Sequence, residues 1–512
     1  MEDSSASELE ARRAQGREMG GAERLSRLQA QNKLPVRERL AHLLDPNSFE
    51  EIGILAHSQS AELRNRTPAD GTVVGYGRID GRTVFVSADD PTVLAGTRGR
   101  TAEVKLTRVR ELALRERKPF IMLSEAGAAR VQEARGAIAA GLGLGFEHHF
   151  RMSGLVPQVS VLMGASFGGP SFVASQGDFT AMVAGTSFLG MSGPPVVKVG
   201  IGADLSPEAI GGVEMAAKTT GQVDYVGKDE IDALAAVRRY LAYFPSSAEQ
   251  APPYCEAKAA PCESDQGKDA LLRLVPQSHR QAYDASRLIT LVSDADSVFE
   301  LRRDYGRNLI TALSRMAGQP VGIVANNPMH KAGVLDEKAA IKARKFIEVC
   351  DAFHVPLIFF CDTPGFLVGP DIEKHRMVSL CGRLMNALIA ATTTKVTIVV
   401  RKAVGMAYLA MCGRCCHPNA IVAWPGAFFD VMGPEAGVML VHGKEIAEAA
   451  DPERRKREIL SELEAEASAY ATAGMALIDD VIAPDETRAV ILKALARAQG
   501  NERPMYKHRI DP

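Results

Sequence analysis

One spacing recurs along this chain and limits what it can fold into. Residues 118–127 (KPFIMLSEAG) have the pattern of residues 355–365 (VPLIFFCDTPG), and Pro119 and Pro356 stand 237 residues apart. Val159 and Val396, each opening the next apolar run, repeat the offset, and so do Gly81 and Gly318. Any two α/β domains share a strand-turn-helix texture, but three blocks at one offset point to a duplication. Each half alternates buried-type strands, glycine turns and helical stretches, the arrangement that builds open α/β layers with ligands at strand carboxyl ends.

The reading of each half is local. Residues 70–87 form a β-hairpin pattern, with Asp80-Gly81 supplying the two positive-φ positions of a type I′ turn. Strands are expected at Phe120–Ser124 and Val159–Met163, the second followed by Gly168-Gly169 and a helix. Residues 1–33 read as an exposed helical arm, 34–250 as a first domain, 251–267 as a Pro/Ser/Ala-rich linker, and 268–512 as a second domain. A length of 512 residues accommodates this division.

Charge and cysteine usage narrow the function classes. Sixty basic and 62 acidic side chains leave a net charge of −2, with no overall pull toward nucleic acid or an anionic membrane, so neither is expected as a partner. No export signal or long apolar span is visible, and the eight cysteines, some inside apolar runs, suit a reducing cytoplasm. Cys412-Gly-Arg-Cys415-Cys416-His417 lacks the second ligand pair of a structural zinc site and reads as a turn, so no metal is expected.

Familiar catalytic motifs are missing: there is no phosphate loop, no H-E-x-x-H and no nucleophile elbow. Gly141, Gly143 and Gly145 imitate a dinucleotide fingerprint, but with the wrong spacing and no preceding strand. Glycine turns after buried strands remain. The N–H groups of Gly168 and Gly169 are expected unpaired before a helix that opens with Pro170, an arrangement suited to an anionic oxygen such as a thioester enolate. Gly405-Met406-Ala407-Tyr408 ends the matching strand of the second half. Two such sites could polarise two carbonyls at once, a rational layout for moving a carboxyl group between an acyl thioester and a urea.

From about Arg37 to Met432 the text resembles a known family, the carboxyltransferase (beta) subunits of biotin-dependent acyl-CoA carboxylases of the propionyl- or methylcrotonyl-CoA type. The carriers include Asp70-Gly71, residues 129–133 (ARVQE), Ser153-Gly154, Asp178-Phe179, residues 324–328 (VANNP), residues 362–366 (DTPGF), Arg401-Lys402-Ala403 and residues 431–433 (VMG). The resemblance implies an α/β fold of two tandem crotonase-like (ClpP/crotonase superfamily) β-β-α domains related by duplication. It implies that biotin, carried by another subunit, delivers the carboxyl group to the α- or γ-carbon of an acyl-CoA while backbone amides hold the enolate. No Ala-Met-Lys-Met attachment motif occurs, so the biotin carboxylase or carrier partner is expected to be a separate chain.

Carried over by position, Gly168 and Gly169 match the thioester site and Met406 and Ala407 the biotin site. Gly96, Gly127, Ala128, Ala129 and Arg130 match the acyl-CoA path, and Phe366, Gly405, Tyr408 and Leu409 border the biotin and acyl pocket. The resemblance also implies a homo-oligomer, commonly a ring-like hexamer, in which the first half of one subunit meets the second half of another. Departures stand at Ala128, Ala216 and Met406, where the family carries glycine, histidine and glycine. A thioester decarboxylase and a non-catalytic scaffold subunit are the alternative readings.

Overall fold

The computed structural model describes residues 2–127, 129–141, 143–500 and 504–512. Contacts divide the chain into two compact units, residues 1–251 with 505–512, and residues 252–504.

The first unit is built on one eight-stranded sheet: Glu50–Ile52 (β1), Thr72–Ile79 (β2), Arg82–Asp89 (β3), Phe120–Ala126 (β4), Gln158–Phe167 (β5), Phe179–Val183 (β6), Phe188–Gly190 (β7) and Tyr225–Gly227 (β8). β1, β2 and β3 pair antiparallel, and β3 through β6 and β8 run parallel. β7 pairs with the far end of β5. Parallel strands between layers are covered on both faces, which explains why β4 is buried at all seven positions and opens with the apolar run Phe120–Leu123 before Ser124 and Glu125.

The second unit repeats this order with Phe299–Leu301 (β9), Leu309–Met316 (β10), Gln319–Asn326 (β11), Leu357–Thr363 (β12), Lys395–Val404 (β13), Ala420–Ala423 (β14), Phe428–Asp430 (β15) and Asp480–Val481 (β16). β2, β3, β4 and β5 begin 237 residues before β10, β11, β12 and β13, so the spacing read from sequence is a true duplication. Both hairpins turn on paired positive-φ residues, Asp80 and Gly81 at 49° and 77°, Ala317 and Gly318 at 50° and 80°.

Two further features are duplicated. Asp45 accepts from the N–H groups of Asp80 (3.1 Å) and Gly81 (2.8 Å), and Arg238 donates to Asp45 at 3.0 Å. Asp294 accepts from Ala317 (2.9 Å) and Gly318 (2.7 Å), and Arg488 donates to it at 2.7 Å. Each hairpin turn is therefore clamped by a carboxylate that an arginine holds in turn. On the helices Arg100–Glu116 and Glu337–Ala352, Lys105 and Lys342 are buried at matched positions. Lys105 Nζ donates to the carbonyls of Ala69 (2.8 Å) and Thr72 (2.7 Å), and Lys342 Nζ to those of Tyr305 (3.0 Å) and Leu309 (2.7 Å). Burial lowers their pKa values to about 8 and about 7.

Two boundaries differ from the sequence reading. Residues 252–267 belong to the second unit, with Ala260 and Cys262 in its apolar core and Ser264 capping the helix Asp265–Leu272. Most of the segment, residues 254–259 included, is exposed as its composition suggests, and Ala260, Cys262 and Gly267 are the positions that pack inward. Residues 505–512 belong with the first unit, where Ile510 N donates to Ser153 Oγ at 2.9 Å. The arm is two helices, Glu2–Arg17 and Ala22–Gln29, moored by Gly20 N and Arg24 to Thr92.

Candidate functional site

In the first unit, β5 ends at Gly168, whose φ of 73° and ψ of −126° suit a residue without Cβ. Its N–H donates to the carbonyl of Gly190, the last residue of β7, at 3.0 Å. Gly168 is thus not the unpaired donor that the sequence suggested. Gly169 is: it opens the helix Gly169–Ser175, and its N–H has no partner among the described residues. Ser171 locks the turn, donating through Oγ to the Ser166 carbonyl and accepting from Gly190 N at 3.2 Å.

Beside this turn two segments run together. Gly96 packs so closely on the Glu125 carbonyl that a Cβ would lie 2.2 Å from it. Gly127 N donates to the Ala95 carbonyl at 3.2 Å, and Ala129 pairs with Arg98 in an isolated parallel bridge. Ala128 lies outside the described residues. Arg130, expected on the acyl-CoA path, is 1% exposed and committed inward. Its guanidinium donates to Asp70 (2.6 Å), Glu133 (2.9 Å) and the Thr97 carbonyl (2.9 Å), leaving it to tie segments together rather than reach a ligand. Burial pushes the Asp70 carboxyl up even with Arg130 beside it, whereas hydrogen bonds from Ser58 and Arg130 outweigh burial and hold Glu133 down.

In the second unit, β13 ends at Gly405 (φ 57°), and the helix Gly405–Ala410 begins at once. Met406 is 52% exposed and Ala407 is buried, and neither N–H has a partner among the described residues. Tyr408 stacks edge-on to Phe429 at 5.4 Å and accepts from Arg414 N at 3.4 Å; burial pushes its phenol up to about 12. Leu409 is half-buried, and its carbonyl accepts from Cys416 Sγ at 3.4 Å. The segment 412–417 is a turn closing this helix, fastened by Thr397 Oγ1 to the Cys412 carbonyl at 2.7 Å. Phe366 is half-buried and bridges to Leu335.

Behind this turn lies a cavity of about 580 Å³ lined by Pro364, Lys402, Val404, Phe428 and His279 among others. In the first unit Phe167 stands where the second unit has Val404, and it packs against Gly190 and Gly193. Lys402 reaches Asp362 at 3.0 Å, and burial lowers its pKa and that of His279.

Residues 27–510 match the family model for the carboxyl transferase domain. The chain belongs to that family. This carboxyltransferase is 33% identical over 507 residues to the propionyl-CoA carboxylase carboxyltransferase subunit of Haloferax mediterranei, with 98% of each chain covered. It is 34% identical over 480 residues to the methylmalonyl-CoA decarboxylase subunit alpha of Veillonella parvula, covering 93% of this chain and 92% of the relative. Among solved structures it superposes on the transcarboxylase 12S hexamer core crystallised with methylmalonyl-coenzyme A and methylmalonic acid, at a TM-score of 0.90 and 32% identity over 99% of this chain and 98% of that one. Tandem crotonase-like α/β domains, an enzyme and carboxyl transfer are thereby established for this chain.

Gly190 and Glu125 escaped the sequence reading. Gly190 gave no local signal, because its contact with Gly168 depends on β7 joining the far end of β5. Glu125 had one, since it stands at the register of Asp362.

Proposed function

We propose that this carboxyltransferase moves a carboxyl group between biotin, borne by a separate carrier subunit, and the α- or γ-carbon of an acyl-CoA. The observation that carries the reading is the duplicated turn: Gly169 in one unit and Met406 with Ala407 in the other, at equivalent strand ends, present N–H groups without partners among the described residues. Donors fixed in this way stabilise an oxyanion without reorganising as charge develops. Gly169 holds the thioester oxygen of the enolate, and Gly168 shapes the turn. Gly96, Gly127, Ala129 and, through its ties, Arg130 form the wall along which the acyl-CoA lies.

Biotin fits the second turn, where the Met406 and Ala407 N–H pair matches a ureido oxygen, with Phe366, Gly405, Tyr408 and Leu409 as neighbours. When bound, it supplies the carboxyl group and the base. The resemblance, together with the hexamer of the 12S relative, supports an oligomer in which the first-unit turn of one copy works with the second-unit turn of another. Eight free cysteines, several buried, support a cytoplasmic setting. Purification from the native host tests the partner: a biotinylated polypeptide should accompany this chain and carboxylate acyl-CoA with it. One relative bears the name of a decarboxylase subunit, and the alternative to test is the same transfer run toward loss of carboxylate. A methylmalonyl-CoA-dependent carboxylation of the carrier, with no forward activity, would select it.

A further inference from the structure

Glu125 on β4 and Asp362 on β12 occupy the same register, each ahead of a turn assigned to the site. Both are buried carboxylates. In the second unit the counter-charges come from the next strand, Arg401 at 3.1 Å and Lys402 at 3.0 Å from Asp362. The matching positions on β5 are Gly164 and Ala165, which carry no charge. A Cβ on Gly164 would lie 2.4 Å from Glu125 Oε1, so the strand leaves the space that the carboxylate fills. Cations reach Glu125 from the opposite direction. Lys33, at the end of the N-terminal arm, pairs with Oε1, and Arg39 lies 2.7 Å from Oε2 and 2.7 Å from Glu230. The remaining neighbours are balanced: Asp89 accepts from Glu125 N at 3.3 Å and is paired with Arg98 at 2.9 Å, and Asp90 faces Arg37, which also pairs with Glu51, as well as Arg39.

The two carboxylates Glu125 and Glu230 share Arg39, so these four groups balance with Lys33 in place and are one positive charge short without it. Without Lys33, an uncompensated buried charge would sit two residues from Gly127, on the wall assigned to a polyanionic substrate. We propose that Lys33 is a positioning residue for acyl-CoA: the N-terminal arm delivers to the first unit the counter-charge that the second unit carries on its own strand. This rests on the reading that the Gly127–Arg130 turn borders acyl-CoA.

Calorimetric titration of the full chain with propionyl-CoA tests it, using wild type, K33M, K33R and the double variant K33M/E125Q. Because a charged hydrogen bond is at stake, K33M should weaken binding by about tenfold to a hundredfold. K33R should retain affinity, and K33M/E125Q should recover most of it, since neutralising the carboxylate makes the lysine unnecessary. Unchanged affinity in K33M, or a double variant as weak as K33M, overturns the proposal. If K33M does not fold, the double variant decides alone: near-native affinity supports the charge role and lost affinity refutes it. Wild type failing to bind propionyl-CoA would instead count against the acyl-CoA reading itself.

Discussion

The N–H of Gly168 meets the carbonyl of Gly190 at 3.0 Å, whereas the next N–H along the chain, that of Gly169, meets nothing among the described residues. That one-residue difference separates a structural glycine from a candidate oxyanion donor. Replacing Gly169 by proline removes the donor at a helical position that proline tolerates. G169P should therefore lower kcat by about a hundredfold to a thousandfold with little change in Tm. G168A should do the opposite, costing about 1–3 kcal/mol of stability because its backbone conformation disfavours a Cβ. Steady-state kinetics and thermal melts of both variants check the assignment, which is wrong if G169P keeps most of its kcat.

Met406 keeps its N–H whatever its side chain, so M406G should retain turnover while changing substrate preference. The exposed thioether is flexible and apolar, and trimming it enlarges the space beside the turn. A methylene in such a pocket is worth about 1–3 kcal/mol, so the ranking should shift gradually across chain lengths. The measurement is kcat/KM for a series of acyl-CoAs. Identical rankings for wild type and M406G would show that Met406 does not set the substrate preference.

Lys342 is a pH-dependent element of the core. Burial lowers its folded-state pKa to about 7 from the ordinary 10.5, with Glu300 and Asp304 opposing the shift and Arg302 adding to it. Between those two values the unfolded chain holds a proton that the folded chain has released, so this group makes stability rise with pH. The slope is bounded at about 1.4 kcal/mol per pH unit. The unfolding free energy of wild type minus that of K342M, from urea titrations at pH 7 and 9, should become more positive at pH 9. A flat difference would show that the lysine stays charged in place.

The two hairpin clamps differ in burial. The Asp294 and Arg488 side chains are 2% and 6% exposed, against 24% and 28% for Asp45 and Arg238. Removing one partner of a buried pair costs about 3–5 kcal/mol, and of an exposed pair about 1 kcal/mol or less. D294A should thus lose more stability than D45A in chemical denaturation, and equal losses would contradict the burial argument.

What could be read from sequence followed from period and position. The 237-residue offset, the Asp80-Gly81 turn and the strands from Phe120 and Val159 are local patterns, and local backbone preference determines them. The clamps did not show, because Asp45 and Asp294 are 249 residues apart rather than 237, and their arginines come from helices far along the chain. The inward ties of Arg130 were not legible either, because its partners Asp70 and Thr97 come from other segments. Where the outcome depended on which strand joins which, as for Gly168, the sequence offered no purchase.

The return of residues 505–512 to the first unit makes the chain's topology that of an insertion. The second unit is spliced into the first, near its end, as a guest is placed in a host. An expression fragment ending at Ala251 would therefore lack the segment that donates to Ser153 Oγ and covers Gly154. The host fragment is better rebuilt with those last eight residues reattached through a short linker. Residues 252–504, by contrast, are one continuous stretch of chain.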